Sequence, residues 1–179
     1  YSVVIGLVAV LIRELALPYL LVMALCGFYE KRWREGLGWC GALILFAGFM
    51  LWHAHAVGQL LLPGDRASGG WLGLGGWPYV LLLARWNGLF IASAPAVVAS
   101  VLPLMLLGAG AWPKMGGRMA LITIGYATGF LVVGRPDTSY WGLMMTPLWA
   151  LGAAMAPGAL RDLVKNLRGA CRVCTPGAV

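Results

Sequence analysis

Long apolar runs separated by short polar connections restrict this chain more than any single residue does. Six segments stand out: Ser2–Tyr29, Gly38–Gly58, Pro78–Ala92, Ala94–Ala111, Met119–Gly134 and Trp141–Leu160. A helix needs about 20 apolar residues to cross a bilayer, and most of these runs approach that length. Only 11% of residues are charged and 61% are hydrophobic, with a mean hydropathy of +0.84. An ordinary soluble enzyme carries about 25% charge, so that class is excluded. A disordered tail needs low hydrophobicity and high net charge, and is excluded too. The net charge of +7 does not imply a nucleic-acid partner. The basic residues sit in short clusters between apolar runs, which is the pattern of membrane topology. The expected fold class is therefore all-α: a polytopic helical membrane protein.

The clusters predict an orientation. Lys31, Arg32 and Arg34 lie in one connection, Lys114 and Arg118 in another, and Arg161, Lys165, Arg168 and Arg172 in the tail. The positive-inside rule puts all three on the cytoplasmic side. Leu60–Trp77 and Arg135–Tyr140 then face outward. Parity forbids Pro78–Ala92 from being a full span; it is short, and Arg85 lies in its middle. It is expected to be an outer interfacial or re-entrant helix, with Pro95 near the bend into the next span. This gives about five transmembrane helices, an outer N-terminus and a cytoplasmic C-terminus. Tyr1 stands at the edge of an apolar run with no basic region before it and no small-residue cleavage site after it. That is no ordinary signal peptide, and upstream sequence is expected. Trp33, Trp39 and Trp112 are expected at the inner boundary, and Trp71, Trp77 and Trp141 at the outer one, because indole favours the interface.

Two regions follow: a helical bundle over 1–160 and a basic cytoplasmic tail over 161–179. In the tail Leu160, Leu163, Val164 and Leu167 recur at helical spacing opposite Arg161, Lys165 and Arg168. That predicts a basic amphipathic helix on the inner leaflet, ended by Gly169. Cys171 and Cys174 form a C-x-x-C without the second ligand pair that zinc needs, so no metal site is expected. The glycines of Ser68–Trp77 lack the strand–helix context of a nucleotide loop and predict a tight outer loop.

Few residues have the chemistry of a site. Arg13 and Glu14 are ionisable residues inside an apolar run, where a charge costs about 2.5–3.5 kcal/mol on insertion scales. Such residues face a bundle interior or an aqueous cavity, and the nearby Pro18 can open the backbone there. His53 and His55 lie about 200° apart on one helix, so they cannot share a metal. Either has the chemistry of an axial ligand to haem or (bacterio)chlorophyll, or of a proton relay; interfacial hydrogen bonding is the simpler role. Arg85, Trp86 and Asn87 lie on the outer helix, and Arg135, Asp137 and Tyr140 in the outer loop. The planar fork of arginine suits a phosphate. Asp65 and Asp137 are the outer carboxylates available as a base; Asp137 also fits a simple turn role after Pro136.

Three stretches carry a resemblance: Arg13–Ala24 (RELALPYLLVMA), Gly76–Asn87 (GWPYVLLLARWN) and Val133–Leu163 (VGRPDTSYWGLMMTPLWALGAAMAPGALRDL). They are similar to the C-terminal half of bacterial multi-spanning glycosyltransferases of the GT-C superfamily, the kind linked to cell-surface glycopolymers. The resemblance covers about a third of the chain. It implies a bacterial inner membrane, a polyprenyl-phosphate-linked sugar donor, an active site at the outer face and inverting transfer assisted by an acidic residue. In that superfamily the acid sits in the first outer loop, and nothing here matches that loop. The resemblance therefore implies that the catalytic carboxylate lies elsewhere or is lost, and that Arg13, Arg85 and Arg135 hold the donor phosphate with Glu14 in support; within this chain Glu14 and Asp137 are at most candidates for the acid.

A competing reading is a non-catalytic subunit of a respiratory or photosynthetic membrane complex. Its Gly and Ala surfaces would pack on partner helices, and His53 or His55 would contact a pigment. A small transporter needs inverted repeats or several membrane charges; one charged pair and no repeat rank it last.

Overall fold

The computed structural model describes residues 1–62, 64–65, 73–86 and 90–173, and every element among them is helical. The all-α class expected from the sequence is what the chain adopts. The chain divides into two compact units, Tyr1–Trp71 and Leu72–Val179.

The first unit contains α1 (Ser2–Ile12), α2 (Leu17–Tyr29) and α3 (Trp33–Gly58), with a 3₁₀ turn Glu14–Ala16 between α1 and α2. The expected single span over Ser2–Tyr29 is not formed. Arg13 is extended at φ −148, ψ 112, and Pro18 stands in the first turn of α2, where its missing N–H costs nothing. The chain reverses there. A Cβ placed on Gly38 would lie 3.3 Å from Val3 Cγ2, and one on Gly27 would lie 2.8 Å from Gly36 N. Residues 3 and 27 thus both flank the start of α3, and α1–α2 is a helical hairpin packed along the first half of α3. The turn from α2 into α3 is a Schellman motif. Lys31 takes the left-handed conformation at φ 57, Arg32 N–H reaches Gly27 O at 2.8 Å and Lys31 N–H reaches Phe28 O at 3.0 Å.

Val10, Leu20, Met23, Ala24, Trp39, Ala42 and Phe46 form the core of this unit. Trp39 is not at a boundary, as its position suggested, but fully buried. Its ring lies over Gly6, where a Cβ would come within 2.4 Å, and edge-on to Tyr19 at 5.6 Å. The missing side chain of Gly6 makes the space that draws the indole inward.

The second unit contains α4 (Gly76–Ala84), α5 (Pro95–Gly110), α6 (Gly116–Val132), a 3₁₀ segment Pro136–Met144 and α7 (Thr146–Val173). Pro95 opens α5 after an extended Ala94 (φ −64, ψ 146), as a residue before proline prefers. The expected helix over Pro78–Ala92 is shorter: α4 ends at Ala84, and Asn87 lies outside the described residues. Arg66, Trp71 and Cys174 lie outside them as well. The amphipathic tail is not a separate helix ended by Gly169, because α7 runs unbroken from Thr146 to Val173. The apolar stripe Leu160, Leu163, Val164 and Leu167 on α7 is exposed. Trp141, expected at the outer boundary, is buried against Phe130, with ring centres 6.1 Å apart.

Among the described residues one helix, Trp33–Gly58, is long and apolar enough to cross a membrane; Asp137–Met144 with Thr146–Arg168, bent by 50°, makes a second if the pair is counted as one. Ser2–Ile12, Glu14–Tyr29 and Pro95–Gly110 are apolar and shorter.

Candidate functional site

Candidate site residues occur in both units. In the first unit the hairpin corner stops short of the end of α3 and leaves a cavity of about 680 Å³ against the second half of that helix. Its lining includes Val10 and Leu11 from α1, Glu14 from the corner, and Phe46, Phe49, Met50 and His53 from α3. Glu14 and His53, singled out separately in the sequence, therefore share one wall-and-floor arrangement. Glu14 is half-buried, and its side chain makes no hydrogen bond or ion pair among the described residues. His53 stacks on Phe49, with ring centres 6.0 Å apart and planes 13° from parallel. Arg13 is exposed at the corner and does not line the cavity. His55 is bonded to Gln59, Nε2 to Nε2, at 2.9 Å. No group of three metal-ligating side chains occurs among the described residues.

In the second unit the 3₁₀ segment lies along α4 and runs the same way. A Cβ on Gly134 would meet the Tyr79 ring at 2.1 Å, and one on Gly142 would meet Leu83 O at 2.1 Å. Thr146 Oγ1 donates to Trp86 O at 2.9 Å. Gly134 has φ +150, so glycine is required there by both backbone and space. The two elements make a platform with Arg135 at one end and Arg85 at the other. α4 rises roughly 13 Å over its nine residues, so the two guanidiniums do not share a single phosphate-sized site.

At the first end Arg135 is held by Asp137, Nε to Oδ1 at 3.1 Å and Nη2 to Oδ2 at 2.8 Å. Asp137 thereby serves the turn, the role its position after Pro136 allowed. Thr138 Oγ1 donates to Arg135 O at 2.8 Å and accepts from Arg135 N–H at 3.0 Å. With its one proton used on that carbonyl, it accepts from the Tyr79 hydroxyl at 2.8 Å. Burial, first, pushes the Tyr79 phenol above its ordinary value; the Thr138 bond works the other way, and Asp137 and Tyr140 add to the rise. Neither Tyr79 nor Thr138 was singled out in the sequence. The pair is 59 residues apart, and the one local hint is a threonine two residues after a proline, a habit of hydroxyl-bonded turns.

At the other end Arg85 follows the last residue of α4. Its Nη2 reaches Ile91 O at 3.4 Å, a long contact. Its Nε is buried and has no hydrogen-bond partner among the described residues. A guanidinium in this state has a donor removed from water with no acceptor among the described residues, which is costly unless an acceptor arrives.

Comparison with protein-family models, with curated proteins and with solved structures finds no match to this chain.

Proposed function

We propose that this chain is part of a polytopic, glycosyltransferase-like membrane protein that handles a polyprenyl-phosphate-linked sugar at the extracytoplasmic face of a bacterial inner membrane. The observation that carries this reading is Arg85: a cation at the end of a surface platform, with a buried donor lacking an acceptor among the described residues. A phosphate oxygen supplies that acceptor, and a guanidinium binds it with directional, charge-assisted bonds. Arg135 is engaged by Asp137 and is secondary; Arg13 lies exposed at the hairpin corner and is secondary too. The membrane setting is supported by the apolar length of α3 and by exposed large side chains such as Ile44, Leu51 and Trp52, which a water-facing helix rarely presents together. The exposed stripe of α7 beside Arg161, Lys165 and Arg168 suits an anionic inner leaflet. We assign this chain the lipid-phosphate half of the reaction and not the proton-abstracting step.

Native mass spectrometry of the gently solubilised protein, with lipids retained, tests this. The wild type is expected to carry a polyprenyl-phosphate mass that Arg85→Gln loses. A wild type that carries no phosphorylated lipid overturns the reading.

One observation favours a second reading, a non-catalytic subunit of a respiratory or photosynthetic complex. His53 lines a cavity, stacks flat on Phe49 and has no hydrogen bond among the described residues, as a single axial ligand to a chlorin or haem does. The only two histidines, His53 and His55, lie on one helix, so a bis-histidine haem within this chain does not fit. A stoichiometric protein complex with pigment absorbance supports this reading over the first.

A further inference from the structure

We propose that the cavity between the hairpin corner and the second half of α3 binds an amphiphilic organic cation, with Glu14 as its counter-ion. This goes beyond the lipid-phosphate site, which lies in the other unit. The cavity of about 680 Å³ falls within the roughly 300–1,000 Å³ of small-molecule sites. Among the described residues its lining is apolar and aromatic apart from Glu14 and His53, and includes no lysine or arginine. The Glu14 carboxylate makes no ion pair or hydrogen bond among the described residues, so no described side chain lining the cavity answers its charge. An anion is repelled by that charge. A divalent metal lacks its ligand set, since no cluster of three suitable side chains occurs among the described residues. A plain acyl chain leaves the carboxylate unanswered. A ligand with an apolar body and one ammonium-like charge satisfies every part of the lining. The body fills the space between Val10, Leu11 and Met50, the charge meets Glu14, and the faces of Phe46 and Phe49 attract the cation through their ring quadrupoles.

Equilibrium binding of radiolabelled tetraphenylphosphonium to the purified full chain in lipid nanodiscs tests the proposal. Saturable binding of one cation per chain is expected, with no competition from tetraphenylborate, an anion of the same shape. Glu14→Gln is expected to weaken binding by roughly tenfold or more, about 1.4 kcal/mol. Phe49→Leu is expected to weaken it by roughly threefold. Arg85→Gln is expected to leave cation binding unchanged, so this site and the lipid-phosphate reading fail separately. If Glu14→Gln does not fold, the borate competition and Phe49→Leu still decide. No saturable binding to the wild type, equal competition by the borate, or pigment occupying the cavity overturns the proposal.

Discussion

Gly108 and Gly152 bring α5 and α7 into direct backbone contact: a Cβ on Gly108 would lie 1.9 Å from Gly152 O, and one on Gly152 would lie 2.2 Å from Met105 O. The obstacle at each is backbone, which cannot rotate away as a side chain tip can. Close approach of this kind is how helices associate where lipid removes the hydrophobic drive between them. Gly152→Val is therefore expected to separate the two helices and to destabilise the unit by about 3 kcal/mol, the upper end for overpacking. Gly129→Ala on α6 meets nothing within 4 Å and is expected to stabilise slightly, by about 0.5–1 kcal/mol. Thermal unfolding of both variants in the same detergent checks the contrast. Equal behaviour of the two would mean that the α5–α7 contact is not as close as described.

The Tyr79–Thr138 bond gives a pH dependence. α4 is nine residues long, too short to span, so Tyr79 is outside any membrane-crossing segment. Burial holds its phenol above the ordinary value of about 10. The unfolded chain then loses this proton first as pH rises. The contribution to stability is whole below about pH 10 and is lost as pH climbs through the higher folded value. A phenolate would also compete with the Arg135 carbonyl for the single Thr138 proton. Tyr79→Phe is expected to be less stable than wild type by about 1 kcal/mol near neutrality and to lack this share of the alkaline decline. Denaturant titrations between pH 8 and pH 11 compare the slopes. Parallel slopes for the two proteins would show that Tyr79 does not titrate as argued.

Arg85 and Asp137 are expected to behave oppositely to buried core residues in the ligand-free protein. Arg85→Met replaces a guanidinium whose Nε has no acceptor among the described residues by an apolar group of similar length. Stability is expected to stay level or to rise by up to about 1 kcal/mol, while phosphate-lipid binding is lost. Asp137→Asn removes an exposed ion pair, which costs about 0–1 kcal/mol, and releases Arg135. A drop of several kcal/mol in either variant would mark that residue as part of the scaffold.

Much of the fold is legible in the sequence because hydropathy reports burial or lipid contact along one helix. α3 and α5 appear as the apolar runs Gly38–Gly58 and Ala94–Ala111, against helices that span Trp33–Gly58 and Pro95–Gly110. Hydropathy carries no direction, however. The run Ser2–Tyr29 is apolar on both sides of Arg13, so a straight span and a hairpin give the same profile. What separates them is the extended backbone at Arg13 and the space beside Gly6 that admits Trp39, and both depend on α3. Glu14 and His53 were each visible as polar residues in apolar surroundings. Their shared cavity was not, because it exists only once the chain turns at Arg13. The pairing of Tyr79 with Thr138 was invisible because a bond across 59 residues leaves no pattern beyond the local hint of a threonine two residues after Pro136.

The reversal at Arg13 is the feature from which the first site follows, and it can be measured directly. A straight helix over residues 2–29 would hold its ends roughly 40 Å apart at 1.5 Å per residue. In the hairpin Val3 instead lies against Gly38, and Gly27 lies against Gly36, so both ends meet the first turns of α3. With the four native cysteines replaced by alanine, the double substitution Val3→Cys with Gly38→Cys is expected to crosslink rapidly with a short bifunctional thiol reagent. Ile12→Cys with Gly38→Cys is expected to remain unlinked, because Ile12 lies at the far end of α1. Absence of a crosslink in both pairs would mean that α1 continues α2 in a straight line, which carries Val3 and Ile12 alike away from Gly38. The corner, the cavity and the placement of Glu14 beside His53 would all go with it.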